Sequence, residues 1–302
     1  MRIALIGNMN NNFFSMLRYF HDLEMDAYLF LYKNEQTHFL PEHDTWEIEK
    51  WEPFIIQTDL VNGITKNDMT IFYISPKKIR NYFKDFDILI GCGSAPIYAF
   101  RAGLTLDLFI PYGSGVEFTH ILTSSVKKYI GSQLTRFYQK TGIKKSVNKS
   151  VSLENETVSM LRKVGQSPIH IGIPMVYNHE KLSENSILSE YIERIKICDF
   201  VVFSHVSHIW KHVPDDWRHS YTRNEWLIEA FSIFIKQCKS LKPLLVLFEY
   251  GPDVIYTKDL ISNLQLNQHV IWLPKMSRKE ILILLDYADI GIGKLGGISI
   301  WG

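Results

Sequence analysis

The sequence predicts an α/β protein made of two Rossmann-like domains, residues 1–175 and 176–302, each a parallel sheet flanked by helices. Three observations lead there. First, 302 residues are enough for two domains of roughly 100–200 residues each. Second, the chain opens on strand, loop, helix and strand. Arg2–Gly7 is a short apolar run, Asn8–Asn12 a polar loop, Phe13, Met16, Leu17, Phe20 and Leu23 fall on one helical face, and Ala27–Tyr32 is apolar again. Third, the same alternation returns late: Leu244–Phe248, a helical pattern, His269–Leu273, a second helix, then Asp289–Gly293. Strands that alternate with helices pair in parallel through crossovers.

Composition narrows the function classes. A formal net charge of +1 gives no broad pull toward nucleic acid. With 46% apolar and 22% charged residues, the chain has the makings of full cores. The apolar run at the start is too short for a secretory signal, and no run approaches the roughly 20 residues that span a bilayer. Cys92, Cys198 and Cys238 are scattered and odd in number, unlike a disulfide framework or a zinc site. A cytoplasmic protein with reduced thiols is expected.

In the first half, no Gly-x-Gly-x-x-Gly follows the first strand, so a nicotinamide enzyme is not expected. Asn8 and Asn10 instead occupy the first loop, either as amide donors to a ligand or as turn residues. Residues 38–67 read as irregular surface with one strand near Phe54–Ile56. Ser75-Pro76 starts a helix. Phe86–Gly91 is a strand that delivers Cys92-Gly93-Ser94-Ala95-Pro96, a small-residue turn where amides can approach an anion or a sugar hydroxyl. The same turn also serves as a tight connection. Leu106–Pro111 is the next strand and leads to Tyr112-Gly113-Ser114-Gly115-Val116-Glu117. A helix from Thr119 to about Thr141 carries Lys127, Lys128, Arg136 and Lys140, a solvated face that could also rest on anionic lipid headgroups. Val151–Leu153, a helix through Leu161 and Ile169–Gly172 complete this half, and Ile173–Asn178 suits an interdomain crossing.

In the second half, a helix ends at Tyr191–Ile197 and Phe200–Phe203 opens the new sheet. His205, His208, His212 and His219 follow, but Pro214 and the absence of an acidic ligand among them argue against a metal. Thr222-Arg223-Asn224-Glu225 and Ser277-Arg278-Lys279-Glu280 both read as capping boxes. Leu227, Ala230, Phe231 and Phe234 stripe one helix, and Ile281, Leu284, Leu285 and Ala288 another. In open α/β sheets ligands lie beyond the carboxyl ends of the strands, which points to Glu249–Asp253 and Gly293–Gly297.

The ordered series Phe203-Ser204-His205 to Trp210-Lys211, Asn224–Phe231, Glu249-Tyr250-Gly251-Pro252-Asp253, Val270–Glu280 and Ala288-Asp289 with its glycine loop resembles the donor half of a GT-B glycosyltransferase. The nearest likeness is to the retaining family 4 enzymes. That resemblance implies a nucleotide-diphosphate sugar as donor, a glycan, lipid-linked or protein acceptor, and no metal or other cofactor. It places the donor in a cleft between the two halves, with Lys211, Arg223, Gly251, Lys258, Gly296 and Gly297 on the donor side. Asn8, Asn10, Gly93, Ser94 and Gly113 fall on the acceptor side. Tyr112 and Glu117 stand near the residue that steadies the transferred sugar, where relatives carry a histidine or an acid. Ser207, with His208 beside it, occupies a position where arginine is common. The family's two glutamates seven residues apart would come after Gly302, so the second domain is expected to be incomplete. By this resemblance the protein is a cytoplasmic glycosyltransferase, with peripheral contact at the inner membrane face left open. A non-catalytic nucleotide-sugar-binding or partner-stabilising protein, and a nucleotide-sugar epimerase, are the alternatives.

Overall fold

The computed structural model describes residues 1–62, 69–111, 126–151, 155–171, 176–178, 188–212 and 221–296. The chain divides into two compact units, Met1–Glu180 and Lys181–Gly302.

The first unit is built on a parallel sheet of strands β1 (Arg2–Ile6), β2 (Asp26–Leu31), β3 (Ile55–Gln57), β4 (Ile88–Gly91), β5 (Leu108–Phe109), β6 (Asn148–Val151) and β7 (Ile169–His170). Their order is β3-β2-β1-β4-β5-β6-β7. Helices α1 (Asn12–Asp22), α2 (Ile48–Trp51), α3 (Pro76–Phe83), α4 (Ala95–Ala102), α5 (Val126–Lys145) and α6 (Asn155–Lys163) connect them. Successive strand side chains point to opposite faces, and both faces of the sheet centre are covered, so β1 after Arg2, β2 after Asp26 and β4 are apolar, whereas β6 and β7, at one side of the sheet, are not. Ile3, Leu5, Leu29 and Leu31 pack with Phe13, Phe14 and Leu17 of α1. Ala4, Ile6, Phe30 and Tyr32 pack on the other side with Ile79, Tyr98, Ile143 and Leu161 from α3 to α6. Leu23, expected on the buried stripe, is 69% exposed because α1 has already ended at Asp22. Ser75 caps α3 by accepting the Lys78 amide at 3.2 Å, with Pro76 in the first turn.

Residues 176–178, expected at an interdomain crossing, pack on α1. Tyr177 Oη donates to Asp22 at 3.0 Å, and its ring meets Tyr19 edge-on and lies 4.5 Å from the Arg18 guanidinium. Arg18 is itself buried and ion-paired with Asp44.

The second unit carries the parallel sheet β10-β9-β8-β11, formed by β8 (Phe200–Ser204), β9 (Pro243–Phe248), β10 (Val270–Leu273) and β11 (Ile290–Gly291). Helices α7 (Ser189–Lys196), α8 (Asn224–Gln237), α9 (Val254–Asn263) and α10 (Arg278–Leu285) belong to it. Every residue of β9 is buried, as a central parallel strand requires. Val202, Leu245 and Leu247 pack against Ile228 and Phe231 of α8 and Ile261 of α9. The Ser277–Glu280 capping box forms, with the Ser277 amide donating to Glu280 at 2.7 Å. The expected Thr222–Glu225 box does not. Arg223 takes the N-cap in a left-handed conformation, φ 55°, and Thr222 turns its hydroxyl to the carbonyl of Ile209 at 3.0 Å.

One device recurs in both sheets. Asp87, Asp107, Asp199 and Asp289 each precede a strand and clasp the neighbouring one twice. The backbone amide of each donates to a carbonyl, and its carboxylate accepts the amide of that same residue, on Arg2, Leu89, Lys242 and Val201 respectively. These clasps sit at the amino ends of the strands.

Candidate functional site

In both units the chain leaves its first strand in one direction and returns on the far side of it, so the strand order reverses between β1 and β4 and between β8 and β11. Loops beyond the carboxyl ends at such reversals form the ligand crevice of open α/β sheets.

In the second unit three turns meet at that edge. His208 donates its amide to the Tyr250 carbonyl at 2.9 Å and accepts the Asp253 amide at 3.0 Å. This lashes the turn after β8 to the turn after β9. Gly251 lies between them with φ +112°, and a Cβ there would fall 2.4 Å from the His208 nitrogen. The third turn, after β11, joins through Leu295, whose amide donates to Thr222 at 3.3 Å. Gly296 lies so close to Arg223 that a Cβ would meet its Cγ at 2.2 Å. Thr222 links back by accepting the Ile209 amide at 3.0 Å. Gly251, Arg223 and Gly296, far apart in sequence, are therefore tied into one network at one sheet edge.

Asp253 organises the turn after β8. It is fully buried, and its Oδ2 accepts the amides of Trp210, Lys211 and His212 at 2.8, 2.9 and 3.3 Å. Its Oδ1 lies 2.7 Å from Nδ1 of His212. Burial pushes this carboxyl up, but the bonds from His212 and the three amides outweigh it and hold the group below the ordinary range. Beneath the turn, Thr257 accepts the indole N–H of Trp210 at 2.8 Å and lies 3.0 Å from Nδ1 of His208. Burial drives the His208 imidazole down to about 4, so it is neutral at physiological pH.

The expected donor-side cations take different positions. Arg223 is occupied within its own turn. Its Nε pairs with Glu225 at 2.9 Å, its guanidinium donates to Tyr221 Oη at 2.7 Å, and it stacks 3.8 Å from the Trp226 ring centroid. Lys258 of α9 pairs with Glu249 in the turn after β9, both about half exposed. Lys211 is exposed, with Nζ 4.0 Å from the Tyr256 ring centroid. Lys294, not singled out from the sequence, lies in the turn after β11, and burial lowers its pKa. Gly297 lies outside the described residues.

The first sheet's carboxyl edge is polar and tightly bonded. Asn8 is fully buried: its Nδ2 donates to Asn11 at 2.7 Å and its Oδ1 accepts the Phe14 amide at 2.9 Å, so its amide is used in shaping the loop. Asn10 and Asn11 have φ 55° and 57°, the left-handed backbone that asparagine tolerates. Gly93, φ +57°, accepts Gln139 Nε2 at 3.0 Å, and buried Ser94 donates to Asn62 at 3.0 Å. Tyr112, Gly113 and Glu117 lie outside the described residues. Sequence reading missed Glu35 here. Its carboxylate accepts the Tyr32 amide at 3.3 Å, and burial pushes it up to about 7. A surface-like Lys-Asn-Glu-Gln stretch gives no signal of that burial. Among the described residues no group of histidine, cysteine and acidic side chains could hold a metal ion, and no helix is long and apolar enough to cross a membrane.

Two parallel Rossmann-like sheets in tandem, each with its crevice at a strand-order reversal, define the GT-B class of fold. Solved structures agree. The chain is similar to a sucrose-phosphate synthase from Thermosynechococcus elongatus, with TM-score 0.52 at 12% identity over 96% of this chain and 74% of that one. It is also similar to a UDP-glucosyltransferase from Polygonum tinctorium, with TM-score 0.50 at 8% identity over 98% of this chain and 75% of that one. No protein-family model matches the sequence, and no curated protein matches it. At these identities the likeness establishes the fold.

Proposed function

We propose that the protein is a glycosyltransferase, similar to the retaining family 4 enzymes, that moves a sugar from a nucleotide-diphosphate donor to a glycan, lipid-linked or protein acceptor. The observation that carries this reading is the convergence of Gly251 and Gly296 at the carboxyl edge of the second sheet, where neither leaves room for a side chain. Such closely approached backbone suits a nucleotide and its phosphates. Lys211, Gly251, Lys258, Gly296 and Gly297 are assigned to the donor, and Asn10, Gly93 and Gly113 to the acceptor. Asn8, Ser94 and Arg223 hold the loops that carry them. Departure of the nucleotide diphosphate leaves negative charge that cations here would stabilise without a metal, while Tyr112 or Glu117 would steady the sugar. A thermal-shift screen of UDP-, GDP-, ADP- and dTDP-sugars, with mass analysis of products, tests this reading. Failure of every nucleotide sugar to shift the protein would overturn it.

A non-catalytic nucleotide-sugar-binding protein is the second reading. It is favoured by Arg223 being enclosed by Glu225, Tyr221 and Trp226 instead of facing a ligand. Binding without turnover for any donor and acceptor would select it. Exposed Leu134 and Phe137 near Arg136 and Lys140 on α5 support a further proposal, peripheral contact with anionic lipid from a cytoplasmic location. Co-sedimentation with phosphatidylglycerol vesicles, against neutral ones, tests it.

A further inference from the structure

The turns at the carboxyl edge of the first sheet hold one charge that no side chain answers. Glu35 follows β2 and is half-buried, and its carboxylate accepts the backbone amides of Tyr32, at 3.3 Å, and of Asn8. Tyr32 directly follows β2 and Asn8 lies in the turn after β1, so the group stands beside the reversal between β1 and β4. Gly7 closes the floor there, since a Cβ would meet the Tyr32 ring at 2.6 Å and Cys92 Sγ at 2.8 Å. Next to Glu35, Asn34 bonds the backbone of Asn62 both ways, at 2.7 and 3.1 Å, and Ser94 donates to Asn62 Oδ1 at 3.0 Å. The turns after β2, β3 and β4 are thereby stitched into one polar wall, in which Asn62 Nδ2 keeps its N–H groups for a further acceptor.

Among the described residues no lysine, arginine or histidine pairs with Glu35. The titratable groups that face it, Tyr32 and Cys92, are both kept protonated by burial and bring no charge. A carboxylate held out of water without a counter-ion is costly, and two amide donors offset only part of the cost: burial lifts this carboxyl to about 7. A ligand hydroxyl would add one hydrogen bond and leave the charge unanswered. A ligand ammonium supplies the hydrogen bond and the opposite charge together.

We propose that the turns after β1, β2 and β3 form a subsite for an amino sugar, whose ammonium pairs with Glu35 and whose hydroxyls meet Asn62. The inference rests on the glycosyltransferase reading above and names the chemical class of its acceptor.

The test is a titration of the isotope-labelled full chain with glucosamine, galactosamine and mannosamine, each beside its neutral parent sugar, followed through the backbone amide resonances of Asn8 and Tyr32. Those amides touch the Glu35 carboxylate, so they report on it even where binding is weak. The expected result is that at least one amino sugar shifts both amides saturably at a concentration at least about 10-fold below its parent. Its affinity should peak near neutral pH, because binding needs a carboxylate that has lost its proton and an amine that has kept its own. Glu35→Gln keeps the shape and removes the charge, and should bring amino sugar and parent to the same weak affinity. Its ligand-free unfolding midpoint verifies that it folds. A folded variant that keeps the preference, parents that bind as well as the amino sugars, or no saturable shift with any amino sugar would each overturn the subsite. None of these outcomes bears on the donor reading, which the nucleotide-sugar screen decides by itself.

Discussion

Gly251 illustrates how one residue limits what the site tolerates. Its φ of +112° is open to glycine and costly for other residues, and a Cβ would lie 2.4 and 2.6 Å from the backbone nitrogen and oxygen of His208. Backbone cannot swing aside as a long side chain can. Gly251→Ala is therefore expected to lose about 2–4 kcal/mol in urea unfolding, and a loss under half of that would contradict the packing described. Glu35 makes a different prediction. Burial raises its carboxyl from the ordinary 4.5 to about 7, against the bonds from the Tyr32 and Asn8 amides. Between those values the unfolded chain has released a proton that the folded chain still holds. Folding stability therefore falls as pH rises from about 4.5 to about 7, and the full penalty persists above. Glu35→Gln removes the penalty. At pH 8 the variant should be the more stable by on the order of 1–3 kcal/mol, with little difference at pH 4. Equal urea midpoints for the two proteins at pH 8 would sink this account.

Among the elements, the helix starts show why a local motif does not always yield its local structure. Ser277-x-x-Glu280 and Thr222-x-x-Glu225 have the same pattern, and only the first becomes a capping box. Thr222 instead accepts the Ile209 amide and bonds the Ile209 carbonyl, while Glu225 pairs with Arg223. The tertiary bonds take the groups that the cap would use. The aspartate clasps follow a pattern that is legible in the chain: an aspartate directly before a short apolar run, at Asp87-Ile88, Asp107-Leu108, Asp199-Phe200 and Asp289-Ile290. Each secures an amide that the neighbouring strand would otherwise leave to solvent. Asp289→Ala should cost about 1 kcal/mol and loosen β11, read as faster amide exchange at Val201 and Ile292. Unchanged exchange there would show that the clasp does not hold the edge.

Across the whole chain, parallel strands and crossover helices were legible because apolar runs at this spacing can be buried on both faces only in such sheets. All the strand candidates that fall on described residues lie on or beside strands of the two sheets. The site was legible in part. Gly251 and Gly296 were found because turns at strand ends are readable. The state of Arg223 was not, since its partners Tyr221 and Trp226 reveal nothing until α8 begins at Asn224 with Arg223 left-handed. The His212–Asp253 pair, 41 residues apart, and the burial of Glu35 are products of folding alone. Hydrogen exchange with a bound nucleoside diphosphate should show the largest protection within residues 205–212 and 250–256, with the β8, β9 and β10 cores unaltered. Protection centred elsewhere would count against the assigned site.

The doubled aspartate bonds at the amino ends have a bearing on how such a protein can change. Strand register is fastened at one rim of each sheet, so the opposite rim is released from that duty. Apart from Gly251 and Asp253, which hold the turns after β8 and β9 together, residues of the turns after β4, β8 and β9 can then be exchanged while the alignment beneath them survives. Randomised libraries at the opposite rim should yield more folded members than equal libraries placed around Asp87, Asp107, Asp199 and Asp289, which makes these turns the natural ground for new specificities.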